Sequence, residues 1–226
     1  MKAMLLAAGL GKRLRPITDR IPKPLLKAGD RTLIEHQLEN LRKAGVLEVV
    51  INLHHLGDQI VDKLGDGSAC GVSIDYSRET ELLETGGGIK QALPMLGDEP
   101  FLVVSADTYI EYDFSRLPPT LPDDCLGCLL MTDNPAHHPE GDFAIGDDGV
   151  LLSEGNCYTY TGIGVLAPDL VRDESLTAFK LRKVWDKAIA DGRMTGIRHR
   201  GFWCDVGTEE RYLELQKHLS TERRHQ

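Results

Sequence analysis

From Gly9 to Pro24 the chain packs Gly9, Gly11, Arg13, an Arg15-Pro16 pair and the proline-flanked Lys23 into sixteen residues, within AAGLGKRLRPITDRIPKPLL (7–26). Gly9 and Gly11 carry no Cβ, so the backbone can approach a bulky anion. Their N–H groups can form an anion-binding nest. Arg13 and Arg15 supply planar cationic forks suited to phosphate. Lys23 stands between Pro22 and Pro24, which restrict the backbone on both sides, and a lysine held this way delivers a point charge to one phosphate. Two common phosphate loops are excluded. No Ser or Thr follows the Gly-Lys pair, and position 14 is leucine where a dinucleotide fingerprint needs its third glycine. A surface loop with scattered charge would account for a lone GxG, but not for this combination.

Two acids stand apart in sequence. Asp107 follows the apolar run FLVVSA, and Asp205 lies in WCDVGT. Carboxylates from two distant strands can hold one Mg²⁺, whose remaining ligands are water and phosphate oxygens. Such an ion would neutralise a triphosphate. The plain alternatives are a strand-end turn for Asp107 and an acid near a helix start for Asp205, with Thr208 as the cap. In ELLETGGGI (81–89), Gly86 to Gly88 should leave open N–H groups at a helix N-terminus, where Glu or Thr side chains can read a base edge.

The elements that would carry these groups alternate. Residues 2–7, 48–54, 72–77 and 101–107 read as strands, the first and last of them buried. Helical spacing fills 32–44, 57–64 and 87–96. This order predicts an α/β fold, a Rossmann-like, mostly parallel twisted sheet with helices on both faces. The Gly/Arg loop and Asp107 then fall at the carboxyl edge of the sheet, where ligands of open α/β sheets bind. After residue 110 the pattern changes to strands at 126–132, 142–145, 150–155, 159–166 and 202–208, with helices at 180–190 and 208–222. The expectation is one domain over 1–226, with 1–110 as the nucleotide-binding half and 111–226 as a smaller, mixed α/β acceptor-binding half.

Composition excludes several classes. The hydrophobic fraction is 41% with 23 glycines, which is a globular composition. Net charge is −9, so no basic face for nucleic acid is expected. No run approaches a membrane span. The N-terminal segment has its apolar run before its charges, the reverse of a signal peptide. A cytoplasmic enzyme with no nucleic-acid or membrane partner is expected. Five cysteines read as reduced thiols, with Cys125 and Cys128 more readily core than metal site. His54–His55 and His137–His138 are poor chelates if they lie in strands, where neighbours point apart.

LAAGLGKRLRPIT…PKPLL, LETGGGI, the aspartate after FLVVSA and WCDVGT together resemble the sugar-1-phosphate nucleotidyltransferases, over essentially the whole chain. Within that family, residues 133–143 and AFKL (178–181) are most similar to bacterial N-acetylmuramate-1-phosphate uridylyltransferases of cell-wall recycling. The resemblance implies that Ala8, Gly9, Gly11, Lys12, Arg13 and Lys23 hold the triphosphate. It implies a nucleobase near Glu79, Glu84, Thr85 and Gly86, with Ser105 at the nucleoside, and Mg²⁺ on Asp107 and Asp205. Arg13, Lys23 and Asp107 would be the catalytic residues. Relatives often carry an EKP motif for the sugar, and here its counterpart is Glu154-Gly155-Asn156, without the lysine. Asp142, Glu154, Asn156, Gly162 and Lys180 are the sugar-phosphate candidates. Ala106 replaces a glycine common in relatives. The substrates implied are UTP and N-acetylmuramate 1-phosphate. GTP with mannose 1-phosphate, dTTP with glucose 1-phosphate, and a non-catalytic nucleotide-sugar-binding regulatory subunit are the alternatives. No hexapeptide period occurs, so no acetyltransferase β-helix and at most a weak dimer are expected.

Overall fold

The structure, a computed structural model, describes residues 1–222. The chain starts with β1 (Ala3–Leu6), passes three single 3₁₀ turns between Lys12 and Leu25, and forms a short hairpin, β2 (Lys27–Ala28) and β3 (Arg31–Thr32). Then follow α1 (Leu33–Lys43), β4 (Glu48–Leu53), α2 (Gly57–Leu64), β5 (Ser73–Arg78), α3 (Glu84–Leu96), β6 (Phe101–Ser105) and β7 (Thr108–Ile110). The second half holds β8 (Gly127–Thr132), β9 (Phe143–Ile145), β10 (Leu151–Leu152), β11 (Cys157–Leu166), α4 (Asp169–Arg172) and α5 (Arg182–Ala190). It ends with β12 (Met194–His199), β13 (Trp203–Asp205) and α6 (Glu209–Glu222).

Nine strands form one sheet. The run β6-β1-β4-β5, which ends at the edge strand β5, is parallel. β11 joins β6 antiparallel, β8 joins β11 antiparallel, and β12 pairs β8 in parallel. The sheet thus runs through both halves of the chain. Alternation along β1 and β6 sends side chains to two cores. Leu5, Ile51 and Val104 meet α1 and α2 through Ile34, Leu38 and Ile60. Met4, Val50 and Val103 meet α3 and α5 through Ile89, Ala92 and Trp185. The predicted layering, helices on both faces of a mostly parallel sheet, is what the chain adopts.

Helix α1 begins on a reciprocal capping box between Thr32 and Glu35. A third apolar cluster joins Leu14, Leu26, Ala28 and Leu33 to Cys204, Val206 and Leu215. It clamps the segment after Lys23 against β13 and α6. Two expectations fail. Residues 153–156 (SEGN) turn rather than extend β10, and β12 (MTGIRH) was not anticipated as a strand. Burial along β12 does not alternate: Thr195 to Ile197 are all half-buried, Arg198 is exposed and only the two ends are buried.

Candidate active site

β1 and β6 are adjacent and parallel, so the loops after both leave the sheet at one edge. Three strand ends are tied together there by two buried side chains. Ala7 N–H donates to Asn52 Oδ1 at 2.8 Å, Asn52 Nδ2 donates to Glu79 Oε1 at 2.6 Å, and Leu83 N–H donates to Glu79 Oε2 at 2.9 Å. Gly11 takes φ +60°, with Thr18 packed where a Cβ would stand, 2.8 Å from its methyl. Thr18 Oγ1 also donates to Gly11 O at 2.8 Å. A cavity of about 420 Å³ covers this edge, lined by Ala8, Gly9, Gly11, Lys12, Lys23, Asn52, Glu84, Thr85, Ser105 and Asp107.

A second cavity of about 440 Å³ adjoins it and shares Lys23, Ser105 and Asp107. Lys23 Nζ donates to Asp107 Oδ2, and the lysine side chain is only 11% exposed. The pair therefore stands where the two cavities meet. β13 places the other acid beside it. Asp205 pairs with Thr108 across the β13–β7 ladder, and Val206 N–H donates to Asp107 O at 3.1 Å. Residues opposite one another on antiparallel strands have Cα atoms about 5 Å apart. The two aspartates, far apart in sequence, are thus neighbours, and Asp205 lines the second cavity with Asp107.

Asp142 and Gly162 also line that second cavity. Asp142 Oδ2 accepts from Tyr160 N–H at 2.8 Å. Gly162 lies at the irregularity of β11, with φ +86°. Arg13 lines this cavity and not the first. Glu154 and Asn156 are exposed in their turn, and they line neither cavity. Lys180 is exposed and lines neither.

The glycines of ELLETGGGI depart from their expected role. Gly86 and Gly87 donate their N–H groups to Phe179 O, at 2.8 and 3.3 Å, so these donors are not open. A Cβ on Gly86 would lie 2.2 Å from the Phe179 ring. The run lets α3 dock against the 177–181 segment, and Thr85 Oγ1 accepts from Leu181 N–H at 3.0 Å. Gly86 is thus buried beneath Phe179, whereas Glu84 and Thr85 face the first cavity. Glu79 is buried with its carboxylate on Asn52 and Leu83, so it braces the wall. Glu84 takes φ +58°, a conformation unusual for a side-chain-bearing residue and typical of functional loops.

Sequence reasoning missed Asn52, Arg211, Trp203 and the histidine pair. His137 and His138 lie in a turn, not a strand, so both line the second cavity. The Asn, Pro and Gly residues of DNPAHHPEGD were the available signal. His138 Nε2 is 3.3 Å from Asp142 Oδ1, and His137 Nε2 is 3.2 Å from Asp205 Oδ1. Arg211 Nη1 donates to both oxygens of Asp205. Cys128 is buried, as expected of a core thiol, whereas Cys125 is only half-buried and its Sγ donates to Gly127 O at 3.3 Å. Among the described residues no group of three or more His, Cys, Asp or Glu could hold a metal by itself, and no helix is long and apolar enough to cross a membrane.

Comparison with known proteins agrees with this arrangement. Residues 2–119 match the nucleotidyl transferase family. The chain is 45% identical to the N-acetylmuramate alpha-1-phosphate uridylyltransferase of Neisseria meningitidis, over 96% of this chain and 97% of that protein. It is 32% identical to the enzyme of that name from Caulobacter vibrioides, over 96% of each. The crystal structure of HddC from Yersinia pseudotuberculosis, complexed with GMP-PN, has the same fold, with a TM-score of 0.76 at 22% identity over 96% of this chain and 99% of that one. The motifs read from the sequence and these full-length matches converge, and the chain belongs to the nucleotidyl transferase family, among the sugar-1-phosphate nucleotidyltransferases its loop resembles.

Proposed function

We propose that the chain joins UTP to N-acetylmuramate 1-phosphate, giving a nucleotide sugar and pyrophosphate. The observation that carries this reading is the meeting of two cavities at Lys23 and Asp107. Two polyanionic substrates must be brought together, and a junction held by one cation suits that task. The similarity to two uridylyltransferases over their full lengths supports the substrate pair.

The triphosphate lies in the first cavity, on the Ala8–Lys12 backbone, with its base toward Glu84 and Thr85 and its nucleoside near Ser105. The sugar phosphate lies in the second, near Asp142 and Gly162. Its phosphate oxygen attacks the α-phosphorus, and the bond to pyrophosphate breaks in line. The nucleophile is already an anion, so no general base is needed. Lys23 bridges the α-phosphate and the attacking phosphate. Lys12, which lines the first cavity, and Arg13, which lines the second, hold the departing pyrophosphate between them.

A divalent cation fits the donor set. Asp107 and Asp205 both line the second cavity with hard carboxylate oxygens, and Mg²⁺ commonly takes one or two carboxylates and completes its shell with substrate oxygens and water. Bound there, it would neutralise phosphate charge. Chelation with excess EDTA should abolish pyrophosphate release; full activity would remove both aspartates from this role.

Pyrophosphate release across a panel of triphosphates and sugar 1-phosphates tests the proposal. The highest kcat/KM is expected for UTP with N-acetylmuramate 1-phosphate. A preference for GTP with mannose 1-phosphate, or dTTP with glucose 1-phosphate, would reassign the substrates. Binding without turnover across the panel would point to a regulatory subunit.

A further inference from the structure

The second cavity sets three cations, Arg13, Lys23 and Arg211, among three aspartates. Arg211, in the first turn of α6, lines it although its side chain is only 9% exposed. Its Nη1 donates to Asp205 and lies 2.7 Å from His137 Nε2. Gly207 leaves room for a second cation. A Cβ there would stand 2.0 Å from Arg211 Nη2 and 3.1 Å from Arg13 Nη2. Two guanidiniums therefore converge over one glycine, with Asp205 the carboxylate in contact. Arg13 has no ion-pair partner of its own among the described residues. A guanidinium offers five N–H donors, so Asp205 does not exhaust those of Arg211.

The space continues past this cluster. Arg13, His137, Trp203, Asp205 and Arg211 also line an adjoining hollow of about 440 Å³. Pro135 and Ala136 give it an apolar wall, and the two glutamates that also line it, Glu210 and Glu214, are exposed. The hollow thus combines a buried cationic corner, room beyond the sugar site and a small apolar surface.

We infer that Arg211 is a specificity-determining residue of the acceptor site, receiving with His137 a carboxylate on a short side branch of the acceptor sugar. The inference rests on the substrate reading above and deepens it. N-acetylmuramate 1-phosphate carries such a branch, a lactyl ether with one carboxylate and one methyl. Mannose 1-phosphate and glucose 1-phosphate carry none. A carboxylate suits a planar guanidinium, and the methyl suits the Pro135–Ala136 wall. A neutral sugar would leave donors of the buried Arg211 guanidinium unpaired, and a site whose polar groups go unpaired rejects the wrong substrate strongly.

The test compares N-acetylmuramate 1-phosphate with N-acetylglucosamine 1-phosphate, the same sugar without the lactyl group. Affinity is read by isothermal titration without triphosphate, and kcat/KM by pyrophosphate release. The unaltered chain should favour the acidic sugar by roughly 100-fold. Arg211→Met should remove most of that preference while leaving affinity for N-acetylglucosamine 1-phosphate and KM for UTP within about threefold, and Arg211→Lys should fall between. Equal losses for both sugars would make Arg211 a mere support of Asp205 and overturn the inference. A loss confined to UTP would assign Arg211, alongside Arg13, to the triphosphate and overturn it as well, as would no change. Should Arg211→Met fail to fold, the carboxamide of N-acetylmuramate 1-phosphate on the unaltered chain replaces it. About 100-fold weaker binding is then expected, and equal binding contradicts the inference. Failure of the unaltered chain to use N-acetylmuramate 1-phosphate at all would instead defeat the substrate reading itself.

Discussion

The two cavities that meet at Lys23 are built on different principles. The first is walled largely by backbone and small residues, Ala8, Gly9, Gly11 and Thr85, with its loops tied by the buried Asn52–Glu79 pair. The second is walled by charged side chains from distant segments, Arg13, Asp142, Asp205 and Arg211, together with two histidines. A nucleotide carries the same phosphates whatever its partner, so a fixed backbone cradle serves it. Sugar acceptors differ in their substituents, and exchangeable side chains set that choice. On the proposed reading, common chemistry resides in the contiguous loop and specificity in the dispersed cluster.

Substitutions can break or sharpen this contrast. The largest effect should fall at the junction, which belongs to both cavities. Lys23→Ala should cost roughly 1,000-fold in kcat, as loss of a transition-state donor does; near-normal turnover of the purified variant would remove Lys23 from the chemistry. Next comes the brace behind the nucleotide side. Asn52→Ala leaves a buried Ala7 N–H unpaired and takes one partner from Glu79, so unfolding free energy should drop by about 2–3 kcal/mol in urea titration. An unchanged midpoint would mean that these strand ends are held otherwise. Thr85→Val removes the acceptor for Leu181 N–H and should cost about 1 kcal/mol. Its KM for UTP should rise while that for the sugar phosphate stays put; the opposite split would exchange the cavities.

The smallest effect concerns Cys204, on β13 next to Asp205. Burial, aided by the Asp205 charge, pushes its thiol up to about 12. The thiol of the unfolded chain ionises near 9 and the folded one does not, so the unfolded state binds fewer protons between these values. The contribution is intact below pH 9 and is lost as pH rises toward 12. Stability should therefore decline across that window, less so in Cys204→Ala. Iodoacetamide at pH 8 should leave Cys204 unlabelled in the folded chain, and rapid labelling would show the strand to be open.

How much was legible follows the same division. The nucleotide side was readable because Gly9 to Lys23 is one continuous segment whose residue types state their purpose. Asp107 was readable from the apolar run before it. The proximity of Asp205 to Asp107 was expected through the family resemblance, not from the local pattern, because the three-residue ladder β13–β7 that creates it is too short to announce itself. The histidine pair was discounted because a strand was assumed where the chain turns. Arg211 looks in sequence like any cation of a polar helix, and only its burial against Asp205 distinguishes it. Gly86 to Gly88 were noticed for the right spacing and the wrong reason. Their missing side chains admit Phe179, Thr177 and the Glu79 carboxylate.

A crystal structure of the chain with a non-hydrolysable α,β-methylene analogue of UTP and N-acetylmuramate 1-phosphate tests the central claim most directly. The account predicts the nucleotide in the first cavity, the sugar in the second, and Lys23 Nζ within hydrogen-bonding reach of both the α-phosphate and the acceptor phosphate. Both ligands in a single cavity, or Lys23 still on Asp107 and touching neither phosphate, would contradict it.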